Sequence, residues 1–327
     1  MIVVPGSTSE ALARGVSNLS GIPVVVPCVS RFSDGEINVE IPASELHGCG
    51  CVVLMQSLCA PSSDNIIELV LLADAVRRIL PSARVVAVIP YMGYARQDRI
   101  MYREDTQVYA SALSAKAIAR LLSTSCVDEI VTVDIHSSQI AGFFDVPFTS
   151  ISANSVMVAN IVGSHLLEKL VVVAPDYGAL NRVRAFVRDL SKKCGVNSIQ
   201  VAIIDKYRES PGISEVVHVV GNVRERHCLI LDDLIDSGGT LCNAAAALKA
   251  RGAMSVHGYV THGVLSGRAP DTISASELDS LVITNTIHNT DIANEKIKVV
   301  PMDTLISEYL LSSAVLGVAK DVGKHKQ

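Results

Sequence analysis

The chain has 327 residues, 49% of them hydrophobic and 19% charged, a balance that excludes a disordered or collagen-like polymer. That length suffices for about two domains with sizeable cores. With 28 Lys and Arg against 33 Asp and Glu the net charge is −5, so no electrostatic case exists for a nucleic-acid or membrane partner, and any phosphate site has to be local. In chain order, Val/Ile-rich runs predict strands over 22–26, 52–56, 85–90, 130–134, 170–175, 201–205, 228–233, 255–261 and 281–285. Amphipathic Ala/Leu-rich stretches predict helices over 9–19, 65–80, 109–122, 155–167, 180–192 and 241–251, with a last one over 303–316. Continuous apolar strands separated by helices read as parallel sheets covered on both faces, so the class is α/β. The same strand, helix and acidic strand end recur in both halves, which suggests two similar domains. A boundary fits near 145–152, where Val146-Pro147 interrupts the helical pattern.

No uncharged apolar stretch reaches the ~18 residues of a spanning helix, and Met1-Ile2-Val3-Val4-Pro5 lacks the basic region of a secretory signal. The eight cysteines are scattered without a CxxC pair or zinc spacing. They read as buried reduced thiols, in keeping with a cytoplasmic location.

Most of the strands close on polar residues: Asp134, Asp176, Asp205, Asp232-Asp233 and Thr261-His262. In open α/β sheets the ligand crevice lies outside the carboxyl ends of the strands, so an acidic residue there stands where chemistry can occur. Each one alone can equally cap the helix that follows.

The most informative segment is Cys228-Leu229-Ile230-Leu231-Asp232-Asp233-Leu234-Ile235-Asp236-Ser237-Gly238-Gly239-Thr240, followed by an Ala-rich helix. An apolar strand delivers two adjacent carboxylates, and a short Gly-bearing turn then opens a helix. Backbone N–H groups of Ser237, Gly238, Gly239 and Thr240 converge at such a helix start, with the Thr240 hydroxyl adding a donor, which suits a terminal phosphate. Glycine allows the close approach, and Asp232 and Asp233 can accept from a vicinal diol. Phosphate and ribose recognition would then sit side by side.

Other stretches have physical readings of their own. In Tyr94-Ala95-Arg96-Gln97-Asp98-Arg99, Arg96 can pair with phosphate oxygens and Gln97 can address a purine or a phosphate, while ion pairs with Asp98 and Glu104 are the structural alternative. His136 sits two residues past a strand-ending Asp134. Lys206 closes a strand and Arg208 follows, ahead of Glu209-Ser210-Pro211-Gly212, which has the composition of a mobile loop.

The segment 228–240 resembles the phosphoribosyl diphosphate motif of the type I phosphoribosyltransferase fold. Further stretches narrow the resemblance to ribose-phosphate pyrophosphokinases (phosphoribosyl diphosphate synthetases). These are Arg31-Phe32-Ser33-Asp34-Gly35-Glu36, Ile89-Pro90-Tyr91-Met92-Gly93-Tyr94 with the Arg96-Gln97-Asp98 run, and Asp134-Ile135-His136-Ser137-Ser138-Gln139-Ile140. Gly142-Phe143-Phe144-Asp145, Ala174-Pro175-Asp176-Tyr177-Gly178, Asp205-Lys206 and Thr261-His262-Gly263 follow in family order.

The resemblance implies two phosphoribosyltransferase-like domains, each a mainly parallel sheet flanked by helices. Residues 1–148 with a returning segment of about 303–320 would form the ATP side, and 149–302 the ribose 5-phosphate side. It implies transfer of the diphosphoryl group of ATP to the C1 hydroxyl of ribose 5-phosphate. ATP would meet Phe32, Asp34, Gly35, Glu36, Arg96, Gln97 and Asp98, with the 34–36 loop serving a neighbouring subunit. Ribose 5-phosphate would meet Asp232, Asp233, Asp236, Ser237, Gly238, Gly239 and Thr240. Mg²⁺ would be held by His136 and Asp176, and Lys206 and Arg208 would be catalytic. A homohexamer built from dimers is the implied assembly. A phosphoribosyltransferase and a catalytically silent regulatory homologue are the alternatives; the first has no need of Arg96, His136 or the 34–36 loop, and the second would have lost catalytic residues. The chain departs from the family at 100–113, which is longer and lacks Ser-Arg and Pro-Ile elements, at Ala179 where a second Gly is common, and in a tail without the familiar aromatic ending. Control by ADP or phosphate is therefore outside the expectation.

Overall fold

Runs of consecutive apolar residues can only be accommodated where both faces of a strand are covered, and all five residues of the strands Glu129–Val133 and Leu170–Ala174 are buried. The computed structural model describes residues 1–100, 111–162, 164–196, 198–207, 216–289 and 292–312. Its first half runs β1 (Ile2–Pro5), α1 (Glu10–Ser20), β2 (Cys28–Arg31), β3 (Ile37–Glu40), α2 (Ala43–Leu46), β4 (Cys51–Met55), α3 (Ser62–Ile79), β5 (Arg84–Ile89), α4 (Ser114–Ser123), β6 (Glu129–Val133) and β7 (Phe148–Ile151). The second runs α5 (Asn154–Ile161), β8 (Leu170–Ala174), α6 (Leu180–Cys194), β9 (Gln200–Tyr207), β10 (Val216–Val220), β11 (His227–Ile235), α7 (Gly239–Ala250), β12 (Ser255–Gly263), α8 (Ala269–Ser274), β13 (Ser280–Thr284), β14 (Ile297–Val300) and α9 (Asp303–Leu311).

One sheet has the order β1-β4-β5-β6-β7 and is parallel throughout. The other has the order β10-β9-β8-β11-β12-β13-β14, parallel except for the edge pair β9–β10. The chain leaves β8 toward β9 on one side and returns to β11 on the other. This reversal opens a crevice at the carboxyl ends of β8 and β11, the place where such sheets receive ligands. Strands β2 and β3 form a separate antiparallel hairpin.

Several expectations are corrected by these elements. The run 22–26 forms no strand: Val24 makes a single bridge to Val3, because Pro23 and Pro27 have no N–H for a ladder. The helix expected over 155–167 divides into α5 and a 3₁₀ turn over His165–Lys169, in keeping with the Gly163-Ser164 breaker in the sequence. The helix expected from 109 begins at Ser114, residues 109–110 lying outside the described residues, as does the tail from 313. All eight cysteines are free, but only Cys228 is fully buried, and Cys28 and Cys126 are exposed. Among the described residues no helix is long and apolar enough to cross a membrane.

Helices cover both faces of the first sheet. α3 and α4 pack on one, and α1 with α9 on the other, where Leu12, Ala13 and Val16 meet Met302, Ile306 and Leu310 over Val53, Val86 and Val131. Helix α9 thus returns from the far end of the second sheet to complete the first. Ile306 is 1% exposed. Ile306→Ala is expected to lower unfolding free energy by about 2–5 kcal/mol, measured by denaturant titration; a change below 1 kcal/mol would mean that α9 is not part of the cooperative core.

Candidate active site

The two sheets meet along a buried polar seam. His262 of β12, 3% exposed, lies 3.0 Å through Nε2 from the Val133 carbonyl and 2.9 Å through Nδ1 from Thr286 Oγ1. A carbonyl only accepts, so Nε2 carries a proton, and burial of the ring disfavours its charged form. Beside it Thr261 Oγ1 donates to Asp134 Oδ2 at 2.6 Å, and Ala153 N donates to the same oxygen at 3.3 Å. Asp134 has φ +36°, a left-handed conformation that costs a non-Gly residue energy and is held by these bonds. It turns the chain at the end of β6 so that the next loop, carrying His136, enters the crevice of the second sheet.

That crevice holds a cavity of about 720 Å³. The second sheet contributes Asp176, Asp232, Asp233, Asp236, Ser237, Gly238 and Thr240, and the first contributes Arg96, Asp98, Arg99, His136, Ser137 and Gln139. At its phosphate-cradle end, Gly238 has φ +82°, which only glycine adopts without strain, and Gly239 opens α7. Backbone N–H groups at that helix start are free of side-chain caps.

Deeper in the cavity, Asp233 is 5% exposed. Its Oδ2 accepts from His136 Nδ1 at 2.8 Å and its Oδ1 from Arg182 Nη1 at 2.9 Å. Burial alone would raise its pKa, but the His136 hydrogen bond and the Arg182 charge hold the carboxyl well below the usual range. Asp232 behaves oppositely: burial, and then the charge of Asp233, push it up to about 7. The hydrogen bond to Asp233 raises the pKa of His136. Asp236 accepts from Ser266 Oγ at 2.5 Å and pairs with Arg96 Nη1 at 2.6 Å, and these two contacts lower its pKa.

The remaining sequence candidates are distributed as follows. Asp98 accepts from Gln139 Nε2 at 3.0 Å on the cavity wall. Gln97 Oε1 accepts from Ser114 Oγ at the start of α4, and Gln97 does not line the cavity. Asp176 lines it, and its Oδ1 also accepts from Ala179 N at 3.0 Å, a bond within the turn before α6 and not a cap of that helix, which has no side-chain cap. Phe32, Asp34, Gly35 and Glu36 form the tip of the β2–β3 hairpin, with Phe32 56% exposed and Asp34 Oδ1 accepting from Glu36 N. None of the four lines the cavity. Lys206 is the penultimate residue of β9, paired with Val217, and Arg208 lies outside the described residues.

Sequence reasoning missed Arg182. It lies in the first turn of α6, where the helix dipole disfavours a cation, so a guanidinium at that point needs a nearby anion to account for it. Asp233 and, at 3.5 Å, Asp232 are those anions.

Comparison with known proteins gives this cavity its context. Residues 1–125 match the N-terminal domain of ribose phosphate pyrophosphokinase, and residues 170–312 the phosphoribosyl synthetase-associated domain. A ribose-phosphate pyrophosphokinase of Burkholderia pseudomallei is 44% identical over 287 residues, 88% of this chain and 85% of its own. The chain belongs to the ribose-phosphate pyrophosphokinase family. A second member, from Haemophilus influenzae, is 40% identical and spans 93% of both chains. A crystal structure of phosphoribosylpyrophosphate synthetase from Mycobacterium smegmatis is similar over 97% of this chain and 98% of its own, with a TM-score of 0.82 at 31% identity. The fold is accordingly that of a pyrophosphokinase: α/β, with two phosphoribosyltransferase-like domains, each a mainly parallel sheet flanked by helices.

The seam histidine makes stability depend on pH. Burial lowers the pKa of His262, whereas the unfolded chain titrates near the ordinary value of about 6.5. Below that pH the unfolded state takes up a proton that the folded state refuses, so this contribution to stability is present above pH ~6.5 and lost as the pH falls. In urea titrations, His262→Gln is expected to lose less stability than the unsubstituted protein between pH 7.5 and 5.5. Equal losses would place the acid sensitivity elsewhere.

Proposed function

We propose that this chain transfers the diphosphoryl group of ATP to the C1 hydroxyl of ribose 5-phosphate, giving 5-phosphoribosyl 1-diphosphate and AMP. The observation that carries this reading is the single cavity in which a phosphate cradle and carboxylates from the second sheet face arginines and a histidine from the first. A protein that only consumed the diphosphate would need the second sheet's cradle and carboxylates alone.

In this reading the Ser237, Gly238, Gly239 and Thr240 turn seats the 5-phosphate, and the carboxylates behind it take the sugar hydroxyls. Arg96, Asp98 and Arg99 face it from the first sheet, where the nucleotide's phosphates would enter. The C1 oxygen attacks the β-phosphorus, the bond from that phosphorus to the AMP oxygen breaks, and the hydroxyl proton leaves. The chain's task is to align the two substrates and to neutralise charge on the moving group. Arg96, Lys206 and Arg208 are the cations assigned to that role. Arg96 is held by Asp236 in the present structure and has to exchange that partner for phosphate oxygens.

Asp176 offers the oxygen ligand that Mg²⁺ prefers, while an imidazole such as His136 is an unusual ligand for this ion and rests on the family resemblance. His136 and Asp176 line the same cavity, and His136 spends Nδ1 on Asp233, which leaves Nε2 as its ligand atom. Among the described residues no group of three or more His, Cys, Asp or Glu could hold a metal ion by itself. An ion that keeps waters and phosphate oxygens needs no such cage. When bound, Mg²⁺ would offset the charge of the phosphate oxygens.

Two proposals concern organisation. Residues 1–148 with 303–320 would be the ATP-side unit and 149–302 the ribose 5-phosphate side. The hairpin tip with exposed Phe32, away from its own cavity, supports a homo-oligomer in which Phe32, Asp34, Gly35 and Glu36 serve a neighbouring subunit's nucleotide. A homohexamer built from dimers is the assembly proposed, in the cytoplasm.

Incubation with ATP, Mg²⁺ and ribose 5-phosphate alone should yield AMP and 5-phosphoribosyl 1-diphosphate by mass analysis. Absence of both products would sink the reading. Lys206→Ala should keep the fold and lose about 100-fold or more in turnover; a near-normal rate would remove Lys206 from the charge-stabilising group.

A further inference from the structure

Resting on the proposed function, we propose that the first turn of α3 is the common mount of the two nucleotide-facing segments. Asp64, acting through Arg31, is a positioning residue for the hairpin tip. Ser63, acting through Tyr94, is a positioning residue for the loop that carries Arg96. Arg31 Nη2 pairs with Asp64 Oδ2 at 2.5 Å, while its Nη1 donates to the Gly35 carbonyl at 2.8 Å inside the tip. Ser63 Oγ and Tyr94 Oη lie 2.9 Å apart, two residues before Arg96. Arg31, Ser63, Asp64 and Tyr94 all lie outside the cavity lining, so each acts through a neighbour.

The mount itself is fixed. Asn65, 3% exposed, donates through Nδ2 to the Cys59 carbonyl at 2.8 Å, and Ile66 and Leu69 of the next turn belong to the core. The segments it holds have less to fix them. No residue of β2 or β3 is buried. Tyr94 is 40% exposed and has φ +61°, a left-handed conformation that a tyrosine adopts only at a cost. Gly93 before it passes so close to the Leu58 carbonyl that a Cβ would not fit, which leaves the loop one path past the end of β4. The Arg31–Asp64 pair is about half exposed on both sides, so it adds little to stability. What a planar guanidinium spanning two acceptors supplies is direction. Direction matters here, because a reacting group misplaced by about 1 Å can cost about 100-fold in rate.

Calorimetric titration of the full chain with ATP and Mg²⁺, together with steady-state kinetics, tests the assignment. Asp64→Ala should weaken ATP binding about fivefold or more and change the KM for ribose 5-phosphate by less than about twofold. Its thermal midpoint should stay within about 2 °C of the unsubstituted protein, as expected for an exposed pair. Asp64→Glu, which keeps the carboxylate, should recover most of the affinity. Asp64→Ala combined with Arg31→Ala should be no worse than either alone, since two members of one contact do not add. Ser63→Ala and Tyr94→Phe should each lower kcat about fivefold or more with ATP affinity nearly unchanged, because the loop they hold carries a cation for the moving group. Unchanged ATP affinity in Asp64→Ala, full additivity with Arg31→Ala, or a normal kcat in Ser63→Ala would overturn the mount. If the unsubstituted protein bound ATP yet formed no AMP, the functional reading would fall, and the mount would stand or fall on ATP affinity in Asp64→Ala alone. If it bound no ATP, both would fall.

Discussion

The hydrogen bonds that fasten the end of β6 to the end of β12 hold the strand end from which His136 enters the cavity. Thr261 donates to the Asp134 carboxylate and His262 to the Val133 carbonyl, both within a region from which water is largely excluded. Low dielectric strengthens such bonds and makes their loss expensive. Because they occur where both strands reach their carboxyl ends, they set the distance between the loop of His136 and the crevice at β8 and β11. The left-handed backbone of Asp134 is the local cost of that turn. Side chains drawn from two sheets then line one cavity.

Electrostatics inside this site differ from those of the whole chain. The protein is acidic, with net charge −5, yet Arg96, Arg99 and Arg182 line one cavity. Two of these guanidiniums already have carboxylate partners, Asp236 and Asp233. Local pairing keeps the arginines in place without a broad positive surface that would attract unrelated polyanions. The buried pair with Asp233 and the exposed one with Asp236 differ in kind. The first is held in a dry place and is structural, whereas the second is open to solvent and exchangeable.

Much of this was legible in the sequence where local chemistry is unambiguous. The apolar run ending in Asp232-Asp233 and followed by Gly238-Gly239-Thr240 specified strand, turn and helix to within two residues, because few other sequences suit a phosphate-sized turn. The run 22–26 misled because Val24, Val25 and Val26 favour extension while the flanking prolines withhold the ladder N–H groups. The hairpin over β2 and β3 has no buried residue and so gave no core signal. Arg182 was hidden because a basic residue on a helix ordinarily faces solvent, and its meaning depends on a strand 51 residues away. Nothing local in Asp232-Asp233 indicates that the two residues differ; their contrast arises from His136, 97 residues upstream of Asp233.

The return of α9 to the first sheet has a bearing on how the protein is made. A ribosome delivers β1, α1, β4 and β5 long before Met302, Ile306 and Leu310, so the nascent first sheet carries an uncapped greasy flank while the second is translated. At about 5–20 residues per second that interval lasts on the order of ten seconds, a window for chaperones to occupy the flank. A product terminated early never acquires its cover. The last helix therefore covers apolar surface that every shorter product of the same message would leave exposed.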